Sequence, residues 1–160
     1  MKPKVLITML AVGGASLALL LNATAAELKS PQLVKEALRI LAYVQADMAS
    51  KLPTKSYARL PHENQEFQEA AVPMRVAVDS EPAAFKARVD ALLKTAQQRA
   101  SDVAEVSKSN DEVRIRAAVA AVDAALKPLN ELFPVALRPV PGQLGGRPGG
   151  PGGGPPPDLR

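Results

Sequence analysis

The sequence contains no cysteine and no tryptophan, and its 160 residues include only one histidine, two tyrosines and three phenylalanines. Without cysteine the chain cannot form a disulfide, a thiolate metal site or a thiol nucleophile. A lipid anchor on an N-terminal cysteine is excluded for the same reason. Because large aromatic side chains are scarce, a core must be built mainly from Ala, Val and Leu, which suits closely packed helices.

The charges are close to balanced, with 20 Lys and Arg against 16 Asp and Glu. The sequence has no basic stripe, so we expect no nucleic-acid partner. The Ser and Thr residues are scattered, and no His stands near them to activate a hydroxyl. The Gly-rich part of the chain is not followed by a helix, which excludes a phosphate-binding loop. These absences predict that the protein is not an enzyme.

The N-terminus has the three parts of a secretory signal peptide. Residues 1–4 are basic, residues 5–21 are apolar, and residues 23–25 provide a small-residue cleavage site before Ala26. An uncleaved anchor is the alternative, but the apolar run is at the short limit for a membrane span. We therefore predict that residues 1–25 are removed, and that the mature protein is periplasmic or secreted and has no membrane span.

Four apolar patterns with helical spacing follow. The first helix is predicted to begin at Ser30 and Pro31, a capping residue followed by Pro, and to stop at Pro53. A loop is predicted over residues 53–61. The predicted buried positions of the first helix are Val34, Ala37, Leu38, Leu41, Val44, Met48 and Leu52.

The second helix is interrupted by Pro73, which removes one backbone hydrogen bond and predicts a kink or a break. A short helix, a bend and a further turn is the alternative to one continuous helix. The apolar positions of this segment repeat about every seven residues. They are Leu60, Phe67, Ala71, Met74 and Val78.

The third helix is predicted to open near Pro82 and to run to about Ser107. Ser109 and Glu112 have the spacing of a capping box and predict the start of the fourth helix. Pro128 should bend the last turns of that helix, and Pro134 should end it. The predicted buried positions are Phe85, Val89, Leu92, Ala96, Val103 and Val106 in the third helix, and Ile115, Val119, Val122, Leu126, Leu129 and Phe133 in the fourth.

Residues 138–160 are mostly Gly and Pro and cannot bury enough apolar surface to offset the entropy of ordering. We predict a disordered, solubilising tail, with a docking segment as the alternative. Residues 26–137 are predicted to form one all-α domain, an antiparallel up-down-up-down four-helix bundle.

Residues 80–133 resemble the second half of cytochrome c-prime, a family of periplasmic four-helix bundles with haem bound near the end of the last helix. The resemblance lies in the segment Glu81-Pro82-Ala83-Ala84-Phe85-Lys86, in the short turn over residues 107–111, and in the Ala-rich segment over residues 117–122. It implies a homodimer through the first two helices, because members of the family often pair in that way.

The haem-attachment motif of that family is C-x-x-C-H, and the matching segment here reads Leu126-Lys127-Pro128-Leu129-Asn130. Leu126 and Leu129 stand where the two thiols would bond haem, and Asn130 stands where an imidazole would bind iron. We therefore expect no cofactor. The function predicted is a non-catalytic exported bundle that acts as a binding or interaction module, pairing with itself or with an unidentified periplasmic partner.

Two other functions remain as alternatives. One is an electron-transfer or gas-binding protein with non-covalent haem, but His62 with Met48 or Met74 is a poor ligand pair on spacing. The other is an envelope metal-stress or chaperone-like protein. His62 and Glu66, four residues apart, are weak candidates for a divalent metal site, and Glu63 and Glu69 extend the acidic spacing. The simpler interpretation of these residues is a solvated acidic face.

Overall fold

The computed structural model describes residues 28–140, and this part of the chain contains four α-helices and no β-strand. The helices are α1 (Pro31–Ser50), α2 (Leu60–Ala77), α3 (Ala83–Ser107) and α4 (Glu112–Glu131). A 3-10 turn over Tyr57–Arg59 precedes α2, and another over Val135–Leu137 follows α4. The predicted signal peptide and residues 141–160 of the predicted tail lie outside the described residues.

Helices that follow each other in the chain pack against each other, and the contact between α1 and α4 is smaller. The predicted apolar stripes form the core that all four helices share. Its members include Val34, Leu38, Leu41, Met48, Leu60, Phe67, Met74, Val89, Val103, Ile115, Val119, Val122 and Leu129. Leu52, Phe85, Leu92 and Val106 are only partly buried at its edge. For residues 28–140, the prediction of an all-α fold with four helices is thus confirmed.

α2 is longer and more regular than predicted. It begins at Leu60, so the end of the predicted loop over residues 53–61 is helical, and it continues through Pro73 to Ala77. The predicted alternative of a break at Pro73 is therefore wrong. Because Pro73 has no backbone N–H, it cannot donate a hydrogen bond to the carbonyl of Glu69. Glu69 lies on the exposed side of α2, so the missing bond is on that side and the buried side of the helix keeps its apolar contacts.

The start of α4 is capped by a different residue from the one predicted. Asp111 is the N-cap, and its Oδ1 accepts a hydrogen bond from the Arg114 backbone N–H at 3.1 Å. The predicted capping box of Ser109 and Glu112 is wrong. The Ser109 hydroxyl instead donates to the carbonyl of Val106 and accepts from the Asp111 N–H, which closes the turn after α3.

The chain after α4 folds back onto the end of that helix. The guanidinium of Arg138 donates to the carbonyl of Phe133 at 2.9 Å and to that of Glu131 at 3.3 Å. These carbonyls lie at the end of a helix, where backbone acceptors have no partner within the helix. Among the described residues, no helix is both long and apolar enough to cross a bilayer.

Candidate functional site

The three positions that match the haem motif lie near the end of α4, and two of them are core residues. Leu126 is 5% exposed and Leu129 is fully buried, while Asn130 is partly buried. Both leucines continue the buried stripe of Ile115, Val119 and Val122. Leu126 and Leu129 therefore pack as ordinary hydrophobic side chains.

Two aromatic rings complete this part of the core. The ring of Phe133, just after α4, meets the ring of Phe85 from the first turns of α3 edge-on, with centroids 5.8 Å apart and planes at 86°. Such an edge-to-face pair adds about 0.5–1.5 kcal/mol beyond the burial of its area. We call Leu126, Leu129, Phe133 and Phe85 the α4 apolar cluster.

A second group of residues lies where α1 ends and α2 begins. Carboxylate oxygens of Asp47 on α1 and of Glu63 and Glu66 on α2 lie within 4.8 Å of one another. We call these three residues the carboxylate cluster. Glu63 is its innermost member, with only 3% of its side chain exposed, whereas Glu66 and Asp47 are 13% and 33% exposed.

Lys51, the residue that follows α1, supplies a positive charge to the carboxylate cluster. Its Nζ lies 2.8 Å from Asp47 Oδ1 and 3.3 Å from Glu63 Oε1. The other oxygen of Glu63, Oε2, is buried and has no hydrogen-bond donor. A buried carboxylate oxygen without a donor is costly, so this oxygen needs a proton or a cation.

The pKa values of Glu63 and Asp47 move in opposite directions. Burial raises the pKa of Glu63 above its ordinary value of 4.5, and the neighbouring Asp47 raises it further. Burial also works to raise the pKa of Asp47, but hydrogen bonds with Lys51 and Glu63 outweigh it and lower that pKa below its ordinary value. The surroundings of Glu63 therefore disfavour its charged form, whereas those of Asp47 favour it.

The residues predicted as weak metal candidates occupy the rim of this cluster. His62 Nε2 lies 3.3 Å from Glu66 Oε1, and the His62 side chain is 65% exposed. Glu69 is exposed and accepts a hydrogen bond from Gln65 at 3.2 Å. The interpretation of Glu63, Glu66 and Glu69 as one solvated acidic face is wrong for Glu63, which is buried.

Sequence reasoning missed Asp47 and Lys51, because they lie on another helix and nothing in the spacing joins them to α2. Glu63 could have been found by its position in the buried stripe. It precedes Phe67 by four residues and Ala70 by seven, which is the spacing of one helix face, and both of those residues are buried.

The side chains suggested for non-covalent haem have very different environments. Met48 and Met74 are fully buried core residues, whereas His62 lies on the surface. A haem iron held by this pair would need a buried thioether and an exposed imidazole on the same axis. The burial of these residues gives no support to that ligand set.

A groove runs between α1 and α2 beside the carboxylate cluster and has a volume of about 250 Å³. We call it the α1–α2 groove; it is lined by Ile40, Tyr43, Val44, Glu66, Glu69, Ala70 and Pro73. Leu33 on α1 and Val76 on α2 are 55% and 63% exposed. Leu33 lies seven residues before Ile40 and Val76 seven residues after Glu69, so each lies on the same side of its helix as a groove residue.

Comparison with protein-family models, with curated proteins and with solved structures gave no match to this chain.

Proposed function

We propose that this chain is an exported, non-catalytic four-helix bundle that acts as an interaction module, and that its haem site has been replaced by core. Export is inferred from the signal-peptide pattern of residues 1–25. The resemblance of residues 80–133 to cytochrome c-prime supplies the comparison with a haem protein. The observation that carries the proposal is the burial of Leu126 and Leu129 at the haem-motif positions.

The α4 apolar cluster supports the loss of haem in two ways. The side chains at the motif positions offer neither a thiol nor an imidazole, so no bond to haem or iron can form there. They also fill the space between helices, and replacing such side chains by smaller ones would leave a cavity that costs stability. A bundle that had lost its haem would need large apolar side chains to occupy the space that the haem had filled.

We infer that the helices run up-down-up-down, as in an antiparallel bundle. Support comes from pairs of residues that cross between α2 and α3. Arg75, near the end of α2, bonds Asp90 near the start of α3 at 2.8 Å, while Gln68 bonds the carbonyl of Gln97 at 3.1 Å. The partners thus advance along α3 as they recede along α2, and the short links between helices favour the same arrangement throughout.

The partner that we propose is a second copy of the chain, docked on the α1–α2 groove. The resemblance implies pairing through the first two helices, and these helices carry the groove with exposed Leu33 and Val76 beside it. A two-fold interface uses the same patch on both subunits. The apolar residues of the α1–α2 groove on the two copies can meet at the centre of such an interface. The carboxylates of Glu66 and Glu69 then stay at its rim, in contact with water.

Sedimentation equilibrium of the purified protein over a wide concentration range tests this proposal. The wild type should dimerise, and the double variant Leu33→Glu/Val76→Glu should weaken the dimer at least about tenfold, because two charges per subunit would be buried. Val113→Glu is the matched control, because Val113 is 78% exposed on α4. A wild type that stays monomeric, or a control that dissociates as readily as the double variant, would contradict the proposal.

A further inference from the structure

We propose that the carboxylate cluster is a binding site for one divalent cation of the hard, oxygen-preferring class, with Asp47, Glu63 and Glu66 as its ligands. The site borders the α1–α2 groove, with which it shares Glu66, and it is separate from the α4 apolar cluster. It is formed by α1 and α2 alone, so it needs no second copy of the chain.

The spacing of the ligand atoms fits a single ion. One oxygen from each carboxylate lies within 4.8 Å of the other two. Two oxygens bound to the same Mg²⁺ or Ca²⁺ at about 2.1–2.5 Å are at most about 4–5 Å apart. The separation of the three oxygens is therefore within the range that one ion can span.

The unpartnered oxygen of Glu63 points to a ligand independently of the clustering of acids. The Glu63 side chain is almost completely buried, and its Oε2 has no donor although Oε1 contacts Lys51. Polar atoms buried in this way are nearly always paired. A cation that bridges Glu63 and Asp47 would supply the missing partner and would also relieve the repulsion between the two carboxylates.

The balance of charge also favours a divalent ion. The groups that face one another are Asp47 on α1, Lys51 just after it, and His62, Glu63 and Glu66 on α2. When all three carboxyls are ionised, they and the ammonium of Lys51 leave two negative charges in a partly buried place. One divalent cation cancels them, and the ammonium of Lys51 remains as a competitor for the same oxygens.

The ligand set favours one class of metal over others. Carboxylate and water oxygens suit Mg²⁺, Ca²⁺ and Mn²⁺, whereas thiolate and imidazole ligands favour zinc, copper and iron. The chain has no cysteine, and its only histidine is on the rim of the site. Asp47, Glu66 and His62 leave that rim open to solvent, so a bound ion would keep some of its water.

Titration calorimetry of the purified full chain with MnCl2, after treatment with a chelator, tests the site. The wild type should bind one Mn²⁺ per chain, and Glu63→Gln should weaken binding at least about tenfold. Glu69→Gln is the matched control, because it removes an exposed carboxylate from the same helix, and it should leave the affinity unchanged. Electron paramagnetic resonance of the added Mn²⁺ gives the bound fraction independently.

Two further variants keep the test decisive if Glu63→Gln folds poorly. Asp47→Asn should also weaken Mn²⁺ binding, and Lys51→Met should strengthen it, because a competing ammonium is removed. Circular dichroism before titration shows whether each variant is folded. The site is overturned if the wild type binds no Mn²⁺ at millimolar concentration, or if Glu69→Gln loses as much affinity as the folded Glu63→Gln and Asp47→Asn proteins.

Discussion

The α4 apolar cluster and the carboxylate cluster each contain buried side chains, but the buried side chains are of opposite kinds. In the first, Leu129 and Phe133 are almost fully enclosed by other apolar side chains. In the second, Glu63 is equally enclosed, but it lies against Asp47 and Lys51. Hydrocarbon burial stabilises the fold directly, whereas burial of a carboxylate costs free energy unless a partner offsets it. The comparison separates packing from the proposed ligand binding: Leu126 and Leu129 are core residues, and the site that we propose for a cation lies between α1 and α2.

The largest effect on stability should come from creating a cavity in the α4 apolar cluster. Leu129→Ala removes a fully buried side chain, and we expect it to lower the free energy of unfolding by about 2–5 kcal/mol. Val113→Ala, on the exposed side of the same helix, should change it by less than about 0.5 kcal/mol. Urea unfolding followed by circular dichroism measures both. Equal effects of the two substitutions would mean that the Leu129 side chain does not fill the core.

A smaller, pH-dependent effect on stability should come from a substitution in the carboxylate cluster. The raised pKa of Glu63 means that its favourable contribution is fully present below pH 4.5, its ordinary value, and is lost as the pH rises through its value in the folded protein. Glu63→Gln mimics the protonated carboxyl at every pH. Without divalent cations, the free energy of unfolding of the variant should rise relative to that of the wild type by about 1 kcal/mol as the pH increases to 7.

The measurement for this prediction is the urea midpoint of both proteins between pH 4 and 7 in the presence of a chelator. Glu69→Gln makes the same chemical change at an exposed position, and it shows how much a Glu-to-Gln substitution alone changes the pH dependence of stability. A difference between Glu63→Gln and the wild type that stays constant with pH, or that shrinks as the pH rises, would contradict a raised pKa for Glu63.

The two regions also differ in how far the sequence predicts them. The stripe of Ile115, Val119, Val122, Leu126 and Leu129 follows helical spacing without a gap, and these residues are all buried as predicted. Helix periodicity is a local property, and it needs no knowledge of neighbouring helices. The same reasoning located the four helices.

The carboxylate cluster could not be predicted in the same way, because it depends on which helices meet. Steps of three residues rotate by about 60° around an α-helix, so Glu63, Glu66 and Glu69 do not share one environment. Glu63 faces the core, Glu66 lies between, and Glu69 is exposed. Asp47 and Lys51 join them only through the packing of α1 on α2. Pro73 shows the same limit, since tertiary packing keeps α2 continuous where local propensity favours a break.

The central claim is that the positions matching a haem motif have become core, and an absorption spectrum tests it most directly. The chain should be expressed with its own N-terminus in haem-replete cells able to mature c-type cytochromes, purified, and scanned across the Soret region. We predict a colourless, helical protein without a Soret band, and no band after added haemin is removed by gel filtration. A Soret band with one haem per chain would contradict the claim.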